Sequence, residues 1–363
     1  MTPKLSLHAV SKTYPGAETP AVDRIDLEVA AGETLALLGP SGCGKSTTLN
    51  MIVGLEMPSS GRIEIDGQPV TDQPAGQRNV GLVFQDYAVF TSMTVRQNLA
   101  FGLSVRRQPR AAIARAVDEV AEHLGMSDRL DARAGDLGGS EMQRVAIGRT
   151  LVTRPAILLL DEPLSNLESA ARLAMRRELR RLQKEIGLTI VYVTHDQIEA
   201  LSLADRIAVM QAGHVRQVEA ATRILSEPAH SFVASFLGEP PMTLLPGALK
   251  AGVFRAGALE LPLATDLPEG PMTLGLRPQS LRLVAAEGAP LTGSLQHVEP
   301  RGPEAVVTLD CAGRAIKVVV PSRTPLPAPG QRCGLLVPEG AILAFDGGSN
   351  LRLPARIRMG EAA

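Results

Sequence analysis

The stretch Gly39-Pro40-Ser41-Gly42-Cys43-Gly44-Lys45-Ser46-Thr47 carries the densest chemistry in the chain. It fits the spacing Gly-x-x-x-x-Gly-Lys-Ser/Thr of a phosphate-binding loop. Its glycines let the backbone turn tightly enough to aim several N–H groups at phosphate oxygens. Lys45 supplies a point charge for the β- and γ-phosphates, and Ser46 a hydroxyl for Mg²⁺. A second group is Asp161 and Glu162, which end the apolar run 156–160. Asp161 is placed to hold Mg²⁺ through water, and Glu162 to orient or deprotonate a water attacking the γ-phosphate. Gln85 and Asp86 follow the apolar run 80–84, and His195 follows the run 188–193. Open α/β sheets bind their ligands at such strand ends. For His195 a purely structural place stands beside the functional one. Tyr14, in the turn Thr13-Tyr14-Pro15-Gly16, reads equally as a base-stacking ring or as an edge of the core.

The elements that must position these residues follow from hydrophobic period. Residues 34–38 read as a short buried strand, and 47–53 as the start of a helix whose N-terminal dipole favours an anion. Residues 5, 7 and 9, and 25, 27 and 29, alternate as half-exposed strands do. Residues 61–67 read as a strand closed by an Asp66-Gly67 turn. Helices are predicted over 93–103, 111–124 and 168–186, with Arg106, Arg107, Arg110, Arg176, Arg177, Arg180 and Arg181 as solvated faces. Residues 206–210 and 214–218 read as a hairpin around Ala212-Gly213. Alternating strands and helices imply an α/β fold on a largely parallel sheet. From Gly238-Glu239-Pro240-Pro241 onward the pattern becomes short apolar stretches (272–276, 281–284, 305–309, 316–320 and 341–345) broken by Gly and Pro. This predicts a small, barrel-like antiparallel β domain with no catalytic constellation of its own. The expected division is 1–238 and 239–363.

Composition narrows the functional classes. A chain of 363 residues can bury a sizeable core in two domains. The formal net charge of -1 and the absence of Trp argue against a nucleic-acid partner. The three cysteines, Cys43, Cys311 and Cys333, lack metal-ligand spacing and suit a reducing cytoplasm. No signal peptide is expected at the N-terminus. No apolar run reaches the roughly 18 residues of a spanning helix.

In this order the motifs resemble the ATP-binding subunits of ABC transporters over nearly the whole chain. The loop 39–47 matches the Walker A motif, Gln85 the Q-loop, Leu160-Asp161-Glu162 the Walker B end, His195 the switch histidine and Tyr14 the adenine-stacking aromatic. The run 143–149 is similar to the helix that follows the signature motif. Residues 83–90, 93–96, 232–238, Pro241-Met242 and 274–278 are similar to carbohydrate-type importers, the maltose and sn-glycerol-3-phosphate group. The resemblance implies an α/β P-loop ABC ATPase domain followed by an OB-like regulatory domain. It implies ATP and Mg²⁺ as cofactors, with Ser46, Gln85 and Asp161 serving the metal. Glu162 would be the general base, and His195 would contact the γ-phosphate. Partners would be a second ATP-binding subunit, in the simplest case an identical copy, and two transmembrane permease subunits. An extracytoplasmic solute-binding protein would act indirectly. The chain would lie peripherally on the cytoplasmic face of the membrane.

Four departures qualify the resemblance. The signature, usually Leu-Ser-Gly-Gly-Gln or Glu, reads Leu137-Gly138-Gly139-Ser140-Glu141. Gly138 therefore replaces a serine whose hydroxyl normally reaches the partner's γ-phosphate, and losing such a donor costs roughly 3 kcal/mol. Either Ser140 supplies the hydroxyl from a shifted loop, or Ser140 is an N-cap forming a capping box with Gln143 and the site is weakened. Glu168 stands where the D-loop usually has Asp. Thr91 replaces a usual Pro and Glu219-Ala220 a usual Gly-Thr, both read as loop changes. The alternatives to a sugar or sn-glycerol-3-phosphate importer are the same subunit serving another solute, such as a polyamine, and a catalytically weakened regulatory subunit. A soluble ABC ATPase of DNA repair or translation would carry a coiled-coil insertion or a second cassette, and the sequence has neither.

Overall fold

The structure, a computed structural model, describes residues 2–360. It divides into a unit ending at Ile224 and a unit beginning at Leu225. In the first unit the chain runs β1 (Leu5–Lys12), β2 (Val22–Val29), β3 (Thr34–Leu38), α1 (Lys45–Val53), β4 (Ser60–Ile65), β5 (Gln68–Pro69) and β6 (Val80–Val83). It continues α2 (Val95–Val105), α3 (Arg110–His123), α4 (Gly139–Leu151), β7 (Ile157–Asp161), α5 (Ser169–Ile186), β8 (Ile190–Thr194), α6 (Gln197–Leu203), β9 (Arg206–Gln211) and β10 (His214–Ala220).

Six strands form the main sheet in the order β10-β9-β3-β8-β7-β6. All its pairings are parallel except the β9–β10 hairpin. β3 and β8 are buried along their whole length, which is why both read as unbroken apolar runs rather than alternating ones. Because β3, β6, β7 and β8 are parallel, their C-terminal ends share one edge. Leu38 pairs with Thr194, Asp161 with Val193 and Val83 with Leu160. The four sequence groups that follow these strands are thereby delivered to one place.

The alternating strands belong to a separate antiparallel sheet in the order β2-β1-β4-β5. Its inward residues Leu5, Leu7, Ile25 and Leu27 pack with Leu37, Ile52 and Val193 in one core. α1 is clamped at its C-terminal turn by Arg78, which is only 2 % exposed. The Arg78 guanidinium donates to the carbonyls of Met51 at 2.7 Å and Ile52 at 3.1 Å, and also to those of Gln73 and Thr71 at 2.7 Å each. A cation there satisfies orphan carbonyls and opposes the negative helix end. α2, α3, α4 and α5 share a second core with β6 and β7, built on Leu99, Val117, Ile147, Leu158 and Leu179.

The second unit opens with a short helix, α7 (Ser231–Phe236), and is otherwise β. β11 (Thr243–Lys250), β12 (Val253–Ala256), β13 (Leu259–Thr265), β14 (Gly270–Leu276) and β15 (Arg282–Val284) are followed by β16 (Leu291–Arg301), β17 (Glu304–Cys311), β18 (Arg314–Pro321) and β19 (Arg332–Leu336). β20 (Ile342–Asp346), β21 (Arg352–Leu353) and β22 (Ile357–Met359) complete it. They form antiparallel sheets β21-β20-β14-β11-β12-β13-β22 and β15-β19-β16-β17-β18. Both face one core around Phe254, Leu274, Leu309, Val318 and Leu335.

Several expectations change in position. The sequence turns to β character at Gly238, yet the compact units divide after Ile224. The reason lies in α7: its Ala234 packs with Met242, Leu343 and Phe345 of the second unit. Glu219 and Ala220 are not loop residues; they end β10 and pair with Ile207 and Arg206. Arg176 and Arg180 are not on a solvated face. Both are half-buried, and Arg180 meets Asp205 at 2.6 Å.

Candidate active site

Two close approaches shape the loop before α1. Gly44 has φ 104°, and a Cβ there would stand 2.5 Å from the Ala21 carbonyl oxygen. A Cβ on Gly39 would stand 2.4 Å from the Met210 carbonyl oxygen. Only glycine lets the loop lie so tightly between β2 and β9. Lys45 is 6 % exposed, and its Nζ donates back to the Gly39 and Pro40 carbonyls at 2.7 and 3.0 Å. The loop thus holds its cation inside its own cradle. Burial pushes the Cys43 thiol up, against the opposing charge of Lys45. Cys43 is therefore a packed part of the loop, 2 % exposed.

Ser46 at the start of α1 donates to Asp161 Oδ1 at 3.4 Å. Burial raises the Asp161 carboxyl above its usual range, and Glu162 adds to this; Ser46 and Lys45 oppose it. The hydroxyl and the carboxylate are hard oxygen donors beside a second carboxylate, Glu162, a set that fits Mg²⁺. Glu162 has a positive φ of 45° and donates its N–H to Val193 at 2.9 Å. This turn aims its side chain at β8, where Glu162 Oε1 lies 3.1 Å from His195 Nδ1. The site therefore joins Lys45, Ser46, Asp161, Glu162 and His195.

Among the described residues, Gln85 is not joined to this group by its side chain; its backbone is tied to the turn that follows Glu162. Asn166 Nδ2 donates to the Gln85 carbonyl at 2.9 Å, tying the segment after β6 to the turn after Glu162. The 84–94 segment is held at several points that the sequence did not reveal. Asn98 accepts from Phe90 N–H at 2.9 Å and donates to the carbonyls of Phe90 and Thr94. Arg149 of α4 stacks 4.3 Å over the Phe90 ring and donates to the Ala88 carbonyl. Tyr14 is 37 % exposed, with Lys12 Nζ 5.1 Å over its ring.

Gly138, Gly139, Ser140 and Glu141 form the N-terminal turn of α4. The capping box expected from Ser140 and Gln143 is not formed. Gly138 is the N-cap, and Glu141 accepts its N–H at 3.1 Å. Gln143 is fully buried, which removes it from any capping role, and Ser140 is a half-buried residue inside the first turn. A Cβ on Gly139 would come within 3.4 Å of Leu167 Cδ2 and 3.9 Å of the Tyr87 hydroxyl, and Glu141 pairs with Arg129 at 3.2 Å.

Residues 22–165 match the ABC transporter family model, and residues 274–345 match the TOBE domain model. A protein of Brucella abortus named only as ATP-binding is 41 % identical over 96 % of this chain and 99 % of its own length. The chain belongs to the ATP-binding subunits of carbohydrate-type ABC importers. The sn-glycerol-3-phosphate import ATP-binding proteins of Chromohalobacter salexigens and Rhizobium johnstonii are 42 % and 45 % identical. The first covers 94 % of both chains, and the second 86 % of this chain and 89 % of its own. Among solved structures, cbiO1 from Clostridium perfringens, part of the ABC transporter complex cbiONQ, matches with a TM-score of 0.59 at 31 % identity. That match covers 62 % of this chain and 92 % of the other. The chain is accordingly a transport ATPase that couples ATP binding and hydrolysis to solute import through partner membrane subunits. Its second unit contains the OB-like TOBE domain. Among the described residues, no helix is long and apolar enough to cross a membrane.

Proposed function

We propose that this subunit drives import of sn-glycerol-3-phosphate or a related sugar-type solute. The solute reading rests on the names of relatives of near-full-length coverage. The carrying observation for hydrolysis is the 3.1 Å contact between Glu162 and His195 beside the Ser46–Asp161 pair. In this reading the loop amides and Lys45 bind the phosphates, Glu162 takes the proton of the attacking water, and His195 orients Glu162 and the γ-phosphate. Tyr14 stacks on the adenine. Ser46, Asp161 and Gln85 hold Mg²⁺, which would neutralise charge on the phosphates. Two copies assemble head to tail, so that residues 138–141 of one complete the site of the other. Two permease subunits receive the closure at the cytoplasmic face, with a solute-binding protein acting beyond them.

The test is ATP hydrolysis by the purified chain beside Glu162→Gln and Gly138→Ser. Loss of turnover in Glu162→Gln supports the assignment, and retained turnover overturns it. A Cβ on Gly138 would meet only Glu141 Oε2, at 3.9 Å, so serine fits there without strain. Gly138→Ser is expected to raise turnover, by up to about a hundredfold if the missing hydroxyl was the whole deficit. No change would mean that Ser140 already supplies the hydroxyl. A chain that is silent until Gly138→Ser is made would favour the weakened, regulatory reading, which the glycine at the helix N-cap keeps open.

A further inference from the structure

Behind the Glu162–His195 pair lies a charge pair, Arg172 and Glu199, of which the carboxylate is buried and the guanidinium half-buried. Glu199, on α6 one turn beyond His195, is 3 % exposed. Its Oε2 accepts from the Tyr192 hydroxyl at 2.8 Å and the Thr194 hydroxyl at 2.9 Å. Its Oε1 faces Arg172 Nε at 3.7 Å. Arg172, on the first turn of α5, also faces Asp196 Oδ2 at 3.7 Å. The same guanidinium donates to the carbonyls of Leu167 at 3.1 Å and Ser165 at 3.5 Å.

These contacts close a path between the two halves of the hydrolytic pair. Ser165 Oγ donates to the Glu162 carbonyl at 2.9 Å, so the turn held by Arg172 is the turn that carries Glu162. On the other side, the Asp196 N–H donates to Thr194 Oγ1 at 3.0 Å. Asp196 in turn caps α6, accepting from Ile198 and Glu199 N–H. Both chain neighbours of His195 are therefore pinned by groups that meet at Arg172. Burying a carboxylate costs several kcal/mol unless it is paired and hydrogen-bonded. Two hydroxyls alone would hold α6 on β8 without any charge.

We propose that Arg172 and Glu199 are positioning residues for ATP cleavage. One guanidinium, countered by one buried carboxylate, fixes the turn after Glu162 and the turn bearing His195 in a single relative geometry. This rests on the assignment of Glu162 and His195 above. The fork is needed as well as the charge, because the same group serves two carbonyls and two carboxylates.

The test uses the full chain as wild type, Glu162→Gln, Glu199→Gln, Arg172→Met and the Glu199→Gln/Arg172→Met double variant. Steady-state and single-turnover cleavage of Mg-ATP are measured with ATP affinity and Tm. Glu199→Gln is isosteric and keeps an acceptor for both hydroxyls, so it removes only the arm towards Arg172. Each single variant is expected to lower the cleavage rate by about ten- to a hundredfold, with ATP affinity unchanged. The double variant is expected to be no worse than the poorer single one, because both act through one contact. A Glu199→Gln rate equal to wild type, or losses that multiply in the double variant, would overturn the proposal, as would a change in affinity alone. If Arg172→Met fails to fold, Glu199→Gln still decides. If Glu162→Gln cleaves ATP, the underlying assignment fails. If Glu162→Gln is silent while Glu199→Gln is normal, only this proposal fails.

Discussion

Asp161 and Glu162 are adjacent carboxylates at the end of one buried strand, and their proximity has a thermodynamic sign. The Asp161 carboxyl is raised, first by burial and then by Glu162. A raised folded-state pKa means that stability is fully present below the unfolded value and is lost as pH rises through the folded one. Near neutral pH the ionised Asp161 therefore strains the nucleotide-free chain. Asp161→Asn is expected to raise its Tm at about pH 7, with the gain vanishing below about pH 4, where both forms are neutral. The same variant should lose Mg²⁺-dependent hydrolysis. Thermal scans across that range check it, and an unchanged difference at every pH would contradict the cause given. Gly138 is legible in the sequence as a departure from the family pattern. That Gly138 rather than Ser140 is the N-cap was not legible, because Glu141 and Gln143 are equally good capping partners on paper; burial of Gln143 decides between them.

Among the elements, α1 best shows how local sequence and distant residues divide the work. The phosphate loop and the apolar residues after it announce a helix. Its C-terminal anchor is Arg78, about 25 positions further on, and only the fold brings that guanidinium under the last turn. Arg78→Met keeps the apolar stem and leaves four carbonyls without their donor. It is expected to destabilise the first unit by about 3–5 kcal/mol, with a Tm lower by roughly 10 °C for a unit of this size. Thermal denaturation measures this; a shift within a degree or two would mean that water replaces the guanidinium. The alternating strands at 5–9 and 25–29 were visible as strands, but their sheet was not. Period two says that one face is buried and is silent about which partner strand lies alongside.

For the whole molecule, the head-to-tail arrangement proposed above leaves the site incomplete within one copy. The N-terminal turn of α4 pairs with Arg129 through Glu141, while Lys45 and Ser46 bond to the loop and to Asp161. If a second copy supplies residues 138–141, ATP itself becomes part of the interface. Glu162→Gln with Mg-ATP is then expected to accumulate as a dimer in sedimentation or size-exclusion runs and to revert to monomer when nucleotide is removed. A monomer under saturating ATP would overturn the head-to-tail arrangement.

The sequence by itself determined the phosphate loop, the acidic strand end, the order of strands and helices and the change to β structure. These are properties of contiguous residues, where spacing and period suffice. Tertiary structure decided what depends on non-contiguous contact. It made Glu162 and His195 neighbours by pairing β7 with β8, and it drew Arg180 from a presumed solvent face to Asp205. It also placed Arg172 and Glu199 behind the pair. An arginine on a helix reads as solvated until the fold shows which carboxylate lies opposite, because sequence period records polarity and not the partner.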